Sequence, residues 1–261
     1  MIIDLSGRTA LVTGAGLGIG HAAATGLHAA GASIVINDLD PERVARAVER
    51  LGGGERVRGV AADLSGADGC ARLVEAVPRV DILVNNVGIA RPRSFFDIPD
   101  AEWESMFAVN VMSGVRLSRD YVPAMVEAGW GRVVFVSSEC ALNIPTSMAH
   151  YGMTKLAQLA VSRGIAEEVA GSGVTVNCVV PGPTRTDGAM PFLQSLVDAG
   201  AADLDAAERE FIDRERPASL LRRFARPAEV ASLIVYLASE QAAASTGAAL
   251  RVDGGAIGTV V

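Results

Sequence analysis

Mid-chain, three side chains have the types and the spacing to move a proton. Ser138 follows the apolar, β-branched run 133–137, Tyr151 comes thirteen residues later, and Lys155 lies four beyond it. Residues four apart share one face of a helix, so Tyr151 and Lys155 are neighbours there. A phenol is a poor base at neutral pH because its reference pKa is about 10, but a nearby ammonium favours the phenolate. Lys155 is placed to supply that charge and draw the Tyr151 pKa down. A serine hydroxyl at the end of the preceding strand can bond a substrate oxygen and align it for proton transfer. Alone, a Tyr–Lys pair at this spacing is common on amphipathic helices. With Ser138 ahead of it, the set reads as acid–base machinery for an alcohol or a carbonyl group.

A second constellation lies near the start of the chain, where Thr13-Gly14-Ala15-Gly16-Leu17-Gly18-Ile19-Gly20 separates an apolar run from an Ala-rich stretch. Gly14, Gly18 and Gly20 have the spacing Gly-x-x-x-Gly-x-Gly. Glycines let such a loop take dihedrals that side chains disfavour and let a pyrophosphate approach the backbone. The following helix N-terminus offers free N–H groups and the positive end of its dipole. A plain tight turn is the rival reading of the loop by itself, and the strand-loop-helix setting favours a dinucleotide. The next apolar run ends at Asn37-Asp38, about 20 residues past the glycines, where a carboxylate would bond the adenosine ribose hydroxyls and repel a 2′-phosphate. No Arg or Lys lies within the glycine loop or directly after Asp38, so NAD(H) is expected over NADP(H). Asp38 could instead cap the helix that opens at Pro41, a role Asp40 fills at least as well.

These residues need a scaffold that brings them to one edge, and the apolar pattern supplies it. Runs at 9–13, 33–37, 57–60, 82–85, 133–137, 174–179 and 249–252 read as strands, and stretches at 18–30, 41–51, 66–77, 101–127, 150–170 and 227–238 as helices. Regular alternation of this kind predicts an α/β fold: a single Rossmann-type, doubly wound parallel sheet of about seven strands with helices on both faces. One rhythm from end to end predicts one domain over 1–261. The segment 183–226 breaks the rhythm with two short amphipathic stretches at a strand's carboxyl end, where a substrate lid would sit. A surface excursion or a subunit contact is the other reading of that segment.

Composition narrows the partners. An apolar fraction of 50% with 20% charged residues fits an ordinary core, and the net charge of -7 argues against nucleic acid, which needs a clustered basic surface. The one basic cluster, Arg222, Arg223 and Arg226, reads first as a solvated helix end and otherwise as a contact for an acidic substrate or carrier. No apolar run approaches the roughly 20 residues of a bilayer span, and the opening residues lack a basic n-region, so a cytoplasmic protein with no membrane partner is expected. Cys70, Cys140 and Cys178 are odd in number and unpaired in spacing, and His21, His28 and His150 lack ligand spacing, so buried thiols and no metal site are expected.

Taken jointly, these motifs closely resemble the short-chain dehydrogenase/reductase family, over essentially the whole chain. Thr13-Gly14-xxx-Gly18-x-Gly20 matches its cofactor loop, Asp63-Leu64 its adenine-side pair, and Asn85-Asn86-Val87-Gly88 its Asn-Asn-Ala-Gly signature with Val for Ala. The resemblance implies that Asn86 and Gly88 border the cofactor. It implies a catalytic tetrad of Asn110, Ser138, Tyr151 and Lys155, with Asn110 supporting a water-linked proton relay through Lys155. It also implies that Pro181-Gly182-Pro183-Thr184-Arg185-Thr186 holds the nicotinamide amide through the Thr184 backbone and the Thr186 hydroxyl, and that Lys155 reaches the nicotinamide ribose. Arg226-Pro-Ala-Glu-Val230 and Val252-Asp253-Gly254-Gly255 complete the match. Glu139, Cys140, Leu142, Ile144 and His150 are expected to border the substrate pocket, each with an ordinary packing alternative. The family further implies a homotetramer built as a dimer of dimers, with helices 101–127 and 150–170 and the tail 254–261 at subunit contacts.

The function expected is transfer of a hydride between NAD(H) and a small carbonyl or secondary alcohol. The alternatives are a 3-oxoacyl-[acyl-carrier-protein] reductase using NADPH and a non-catalytic nucleotide sensor. The sensor reading predicts a missing Ser, Tyr or Lys, and all three are present.

Overall fold

Each of the seven β-branched runs forms a strand in the computed structural model, which describes residues 2–260. Met1 and Val261, the latter the last residue of the tail expected at a subunit contact, lie outside the described residues. The strands are β1 (Thr9–Val12), β2 (Ser33–Asp38), β3 (Val57–Ala61), β4 (Ile82–Asn85), β5 (Gly131–Val136), β6 (Val174–Pro181) and β7 (Ala249–Val252). All pair in parallel, in the order β3-β2-β1-β4-β5-β6-β7. The order reverses between β1 and β4, and in an open parallel sheet a crevice for ligands opens there, beyond the carboxyl ends of the strands.

Successive strand residues point to opposite faces, which builds two cores. Ala10, Val12, Ile34, Ile36, Val84 and Val134 pack with Ala23, Ala24 and Leu27 of α1 (Gly18–Ala29) and Val230 and Ile234 of α9 (Pro227–Leu237). Leu11, Val35, Leu83, Val133 and Val176 pack on the other face with Cys70 and Leu73 of α3 (Ala67–Ala76) and Leu117, Tyr121 and Met125 of α5 (Ser113–Glu127). Between β2 and β3 runs α2 (Pro41–Arg50), capped by Asp40, whose carboxylate accepts from the Glu42 and Arg43 N–H groups. That leaves Asp38 free of the capping role.

The helix expected at 101–127 is interrupted. It consists of α4 (Asp100–Phe107), a π-helical turn at Ala108–Met112 and α5. A π-turn is a local insertion that a 3.6-residue periodicity does not encode, and such turns concentrate at functional sites. Asn110 sits in it. At 183–226 the chain forms α7 (Met190–Asp198) and α8 (Leu204–Glu215), which bury Leu193, Ala207, Ile212 and Phe224 in a small core of their own. Arg185 ties this unit down through Asp205 and Glu208. The basic cluster is absorbed by ion pairs: Arg222 with Asp213, Arg223 with Glu229 and Arg226 with Glu208.

The first turn of α3 shows how closely backbone is packed around the crevice. A Cβ on Gly69 would lie 1.6 Å from the Asp63 carbonyl oxygen, a backbone atom that cannot step aside. Helix propensity alone would favour alanine there by about 1 kcal/mol. The clash reverses the sign: Gly69→Ala should cost about 2–3 kcal/mol and lower the thermal midpoint by about 5–10 °C, read by calorimetry. An unchanged midpoint would refute this packing.

Candidate active site

Strand β5 ends at Val136, and the chain turns immediately. Ser138 caps the 3-10 turn Glu139–Ala141, its Oγ accepting from the Cys140 N–H at 3.2 Å. Facing it, α6 (Ala149–Glu168) carries Tyr151 and Lys155. Lys155 is only 4% exposed. Its Nζ donates to the Val136 carbonyl at 2.8 Å and to Gln158 Oε1 at 3.2 Å, and lies 5.6 Å from the centre of the Tyr151 ring. Burial pushes the Lys155 ammonium down to about 8. Burial pushes the Tyr151 phenol above its ordinary value, the negative forms of Cys140 and Glu139 act in the same direction, and the Ser138 hydrogen bond opposes them. The lowering of Tyr151 expected from Lys155 is not found; burial dominates and the phenol stays protonated.

Asn110 does not face this centre with its side chain. Its Oδ1 accepts from the Ile89 N–H at 2.8 Å, and its Nδ2 donates to the Ile89 carbonyl and to Thr154 Oγ1 at 2.9 and 3.0 Å. Its main-chain carbonyl accepts from Gln158 Nε2 at 2.6 Å. The Gln158 amide therefore joins Lys155 to the Asn110 carbonyl. Sequence reasoning missed Gln158. The available signal was its place three residues after Lys155, on the same helical face.

From Asp38 toward Tyr151 runs the crevice at the switch point. One stretch, about 390 Å³, is bordered by Gly14, Leu17, Gly18, Asp38, Arg43, Asp63, Leu64, Asn86 and Gly88. The next, about 260 Å³, shares Asn86, Gly88 and Thr186 and is bordered by Ile19, Tyr151 and Lys155. The glycine loop fits a dinucleotide. Gly14 and Gly18 take φ of 59° and 60°, a left-handed region costly for side chains, and a Cβ on Gly20 would strike Asn86 Nδ2 and the Gly14 carbonyl at 2.5 Å. Gly20 thus packs the loop from beneath. The start of α1 has no side-chain cap of its own, and the Gly18 N–H donates to the Asp187 carboxylate at 3.0 Å, an anion on the spot where a phosphate is expected.

Asp38 Oδ2 accepts from the Gly16 N–H at 3.1 Å, and Oδ1 pairs with Arg43 Nη1 at 3.1 Å. The expectation that no basic residue attends Asp38 is corrected here: α2 returns Arg43 to it five residues later. Pro181 ends β6, and Gly182 and Thr184 lie on the substrate side of the crevice.

That side is a cleft of about 500 Å³ bordered by Ser138, Glu139, Cys140 and Tyr151 and closed over by Phe192, Phe211, Arg216 and Phe224 from 183–226. Leu142, Ile144 and His150, expected at its border, do not line it. The 3-10 turn sends Leu142 and Ile144 outward, at 50% and 48% exposure. His150 is fully buried on the far side of α6, its Nε2 3.3 Å from Glu102, which also pairs with Arg93. The three cysteines are free and buried. Among the described residues no group of His, Cys, Asp and Glu could hold a metal ion, and no helix is long and apolar enough to cross a membrane.

Known proteins share this architecture. The family described as short chain dehydrogenase matches residues 8–196. The uncharacterized oxidoreductase YvaG of Bacillus subtilis (strain 168) is 45% identical over 263 residues, with 100% of both chains covered. Among solved structures, L-sorbose reductase from Gluconobacter frateurii, complexed with NADPH and L-sorbose, is similar with a TM-score of 0.94 at 33% identity, with 100% of both chains covered. A 3-oxoacyl (acyl-carrier-protein) reductase from Agrobacterium tumefaciens C58 with NADP bound is similar with a TM-score of 0.87 at 31% identity, covering 97% of this chain and 96% of that one.

Proposed function

The chain belongs to the short-chain dehydrogenase/reductase family and is an NAD(P)-dependent oxidoreductase of alcohol and carbonyl groups; within that class we propose that it works with NAD(H) on a small carbonyl or secondary alcohol, using Ser138, Tyr151 and Lys155. The observation that carries this reading is the convergence of those side chains where the dinucleotide crevice meets the substrate cleft. When bound, the nicotinamide supplies or takes the hydride. Ser138 holds the substrate oxygen, and Tyr151 donates its proton in reduction and accepts it in oxidation. Lys155, fixed between Val136 and Gln158, keeps positive charge beside the phenol. Asn110 supports Lys155 through Gln158 and fixes the chain at Ile89. Gly14, Gly16, Leu17, Gly18, Ile19 and Gly20 form the phosphate side of the cofactor site, Asp38, Asp63 and Leu64 the adenosine side, and Asn86, Gly88, Pro181, Gly182, Thr184 and Thr186 the nicotinamide side. Residues 183–226 serve as the substrate lid.

Asp38 carries the choice of NAD(H). Its buried carboxylate would face a 2′-phosphate with like charge, although Arg43 partly offsets it, and the relatives bound to NADP or NADPH are why this choice needs its own test. Calorimetric titration should give tighter binding of NADH than of NADPH, with the gap narrowed at least tenfold in Asp38→Ala; tighter NADPH binding to the wild type would refute the assignment. The second reading, an NADPH-linked 3-oxoacyl-thioester reductase, is favoured by the similarity to such a reductase and by the apolar wall of Phe192, Phe211 and Phe224. A panel of ketones and a 3-oxoacyl thioester, followed by nicotinamide absorbance with each cofactor, separates the two. The assembly proposed by resemblance to the family is a dimer of dimers in the cytoplasm, for which light scattering at micromolar concentration should give the mass of four chains, and a lone monomer would count against it.

A further inference from the structure

The cleft holds one charged pair that the chemistry above does not use. Glu139, next in sequence to Ser138, is 3% exposed, and Arg216, just past α8, is 7% exposed. Arg216 Nε donates to Glu139 Oε1 at 2.7 Å, and both residues line the cleft with Ser138 and Tyr151. Arg216 Nη1 donates to the Glu215 carbonyl, whereas among the described residues its Nη2 meets only the Cys140 sulfur, at 3.8 Å. Glu139 Oε2 is buried and has no hydrogen-bond partner among the described residues. A buried carboxylate oxygen without a donor is costly, and native structures rarely leave one in that condition. Glu139 borders the cleft, so a donor bound there is placed to supply the missing partner.

Resting on the oxidoreductase reading above, we infer that Glu139 and Arg216 form a subsite that selects substrates carrying a hydroxyl group near the reacting carbon: neutral hydroxy ketones and the corresponding polyols. A hydroxyl is the group that satisfies both residues, since it donates to Glu139 Oε2 and accepts from Arg216 Nη2. A carboxylate substrate meets the Glu139 charge and has no proton to give it. A plain ketone leaves the oxygen unpaired, which is how a polar subsite rejects an analogue lacking its hydroxyl. The pair also joins the catalytic turn to the end of α8, so a substrate that bonds both residues stitches 183–226 to β5.

The test compares 1-hydroxy-2-butanone, butanone and 2-oxobutyrate as substrates for NADH oxidation, in wild type, Glu139→Gln and Glu139→Asp. Because Arg216 Nε donates, the amide introduced by Glu139→Gln would turn its carbonyl to Arg216 and present an NH₂ in place of the acceptor. The wild type should favour the hydroxy ketone over butanone by about 10- to 100-fold in kcat/KM, the range of a hydrogen bond to a charged group, and over the oxo acid by at least as much. Glu139→Gln should reduce the first ratio to a few-fold, and Glu139→Asp, which keeps the charge, should restore part of it. Retained NADH binding shows that each variant has folded. Turnover of butanone with no hydroxyl preference, or a preference that Glu139→Gln leaves intact, overturns the subsite and leaves the oxidoreductase reading standing. Silence with every carbonyl compound, while NADH binds, overturns both.

Discussion

Tyr151→Phe should lower turnover by about 10²–10⁴-fold while leaving NADH affinity within a factor of a few. The range is what a positioned general acid or base contributes. The variant removes one oxygen from an α6 ring that lies in the wall between crevice and cleft, so the packing of the ring persists and the fold is not the cause of the loss. Burial holds the phenol protonated, which suits it to give its proton to a developing alkoxide during reduction. In oxidation the same burial opposes phenolate formation, and Lys155 with the bound cofactor must overcome it. Both directions cross the same transition state, so the defect should be of similar size in oxidation and in reduction. Parallel kcat and Kd measurements check this, and a Tyr151→Phe enzyme that turns substrate over at the wild-type rate removes Tyr151 from the mechanism.

Lys155→Met should be equally damaging but different in kind, lowering turnover by about 10³-fold and weakening NADH binding as well, if one ammonium serves both the phenol and the cofactor ribose as proposed. Its pH dependence gives a sharper signature. The Lys155 pKa is pushed by burial from 10.5 down to about 8, so the group is charged below that pH and neutral above it. The wild-type rate of reduction should therefore fall as pH rises through about 8. Stability runs the other way. Below pH 8 the burial of the charge opposes folding in full; between 8 and 10.5 the unfolded chain binds the extra proton, so the Lys155 contribution to stability rises with pH across that window. The buried thiols of Cys140 and Cys178, pushed up by burial, titrate with the opposite sign in both proteins, so chemical denaturation at pH 7.5 and 10 should show the Lys155 increment as a rise in the stability of the wild type relative to Lys155→Met. A difference between the two proteins that is the same at both pH values would contradict the assigned pKa.

What could be read from residues alone follows the range over which each feature is encoded. The strand and helix pattern, the glycine loop, the Asp40 cap and the Tyr151–Lys155 pair all arise within one or two turns of chain, where periodicity and turn chemistry are local. The strand edges shifted where tertiary pairing sets them: β6 continues to Pro181 because β7 pairs with it as far as Val252. Other features lay beyond that range. Arg216 reaches Glu139 across 77 residues, and nothing near either residue signals the other. The π-turn at Asn110 depends on side-chain bonds to Ile89 and Thr154 that form only when three elements meet. His150 was misplaced because adjacency to Tyr151 in sequence means different directions on a helix. Arg43 stands five residues beyond Asp38, and only the first turn of α2 brings its guanidinium back to that carboxylate.

The proposed reaction passes a hydride between nicotinamide and substrate carbon at the Ser138–Tyr151–Lys155 centre. NADH deuterated at the transferred position of C4, incubated with the wild type and the ketone panel, tests it most directly when the alcohols formed are weighed by mass spectrometry. One deuterium is expected on the carbinol carbon of the product, with almost none formed by Tyr151→Phe in the same time. Unlabelled alcohol, or label retained entirely in the nicotinamide while the wild type binds NADH, would contradict it.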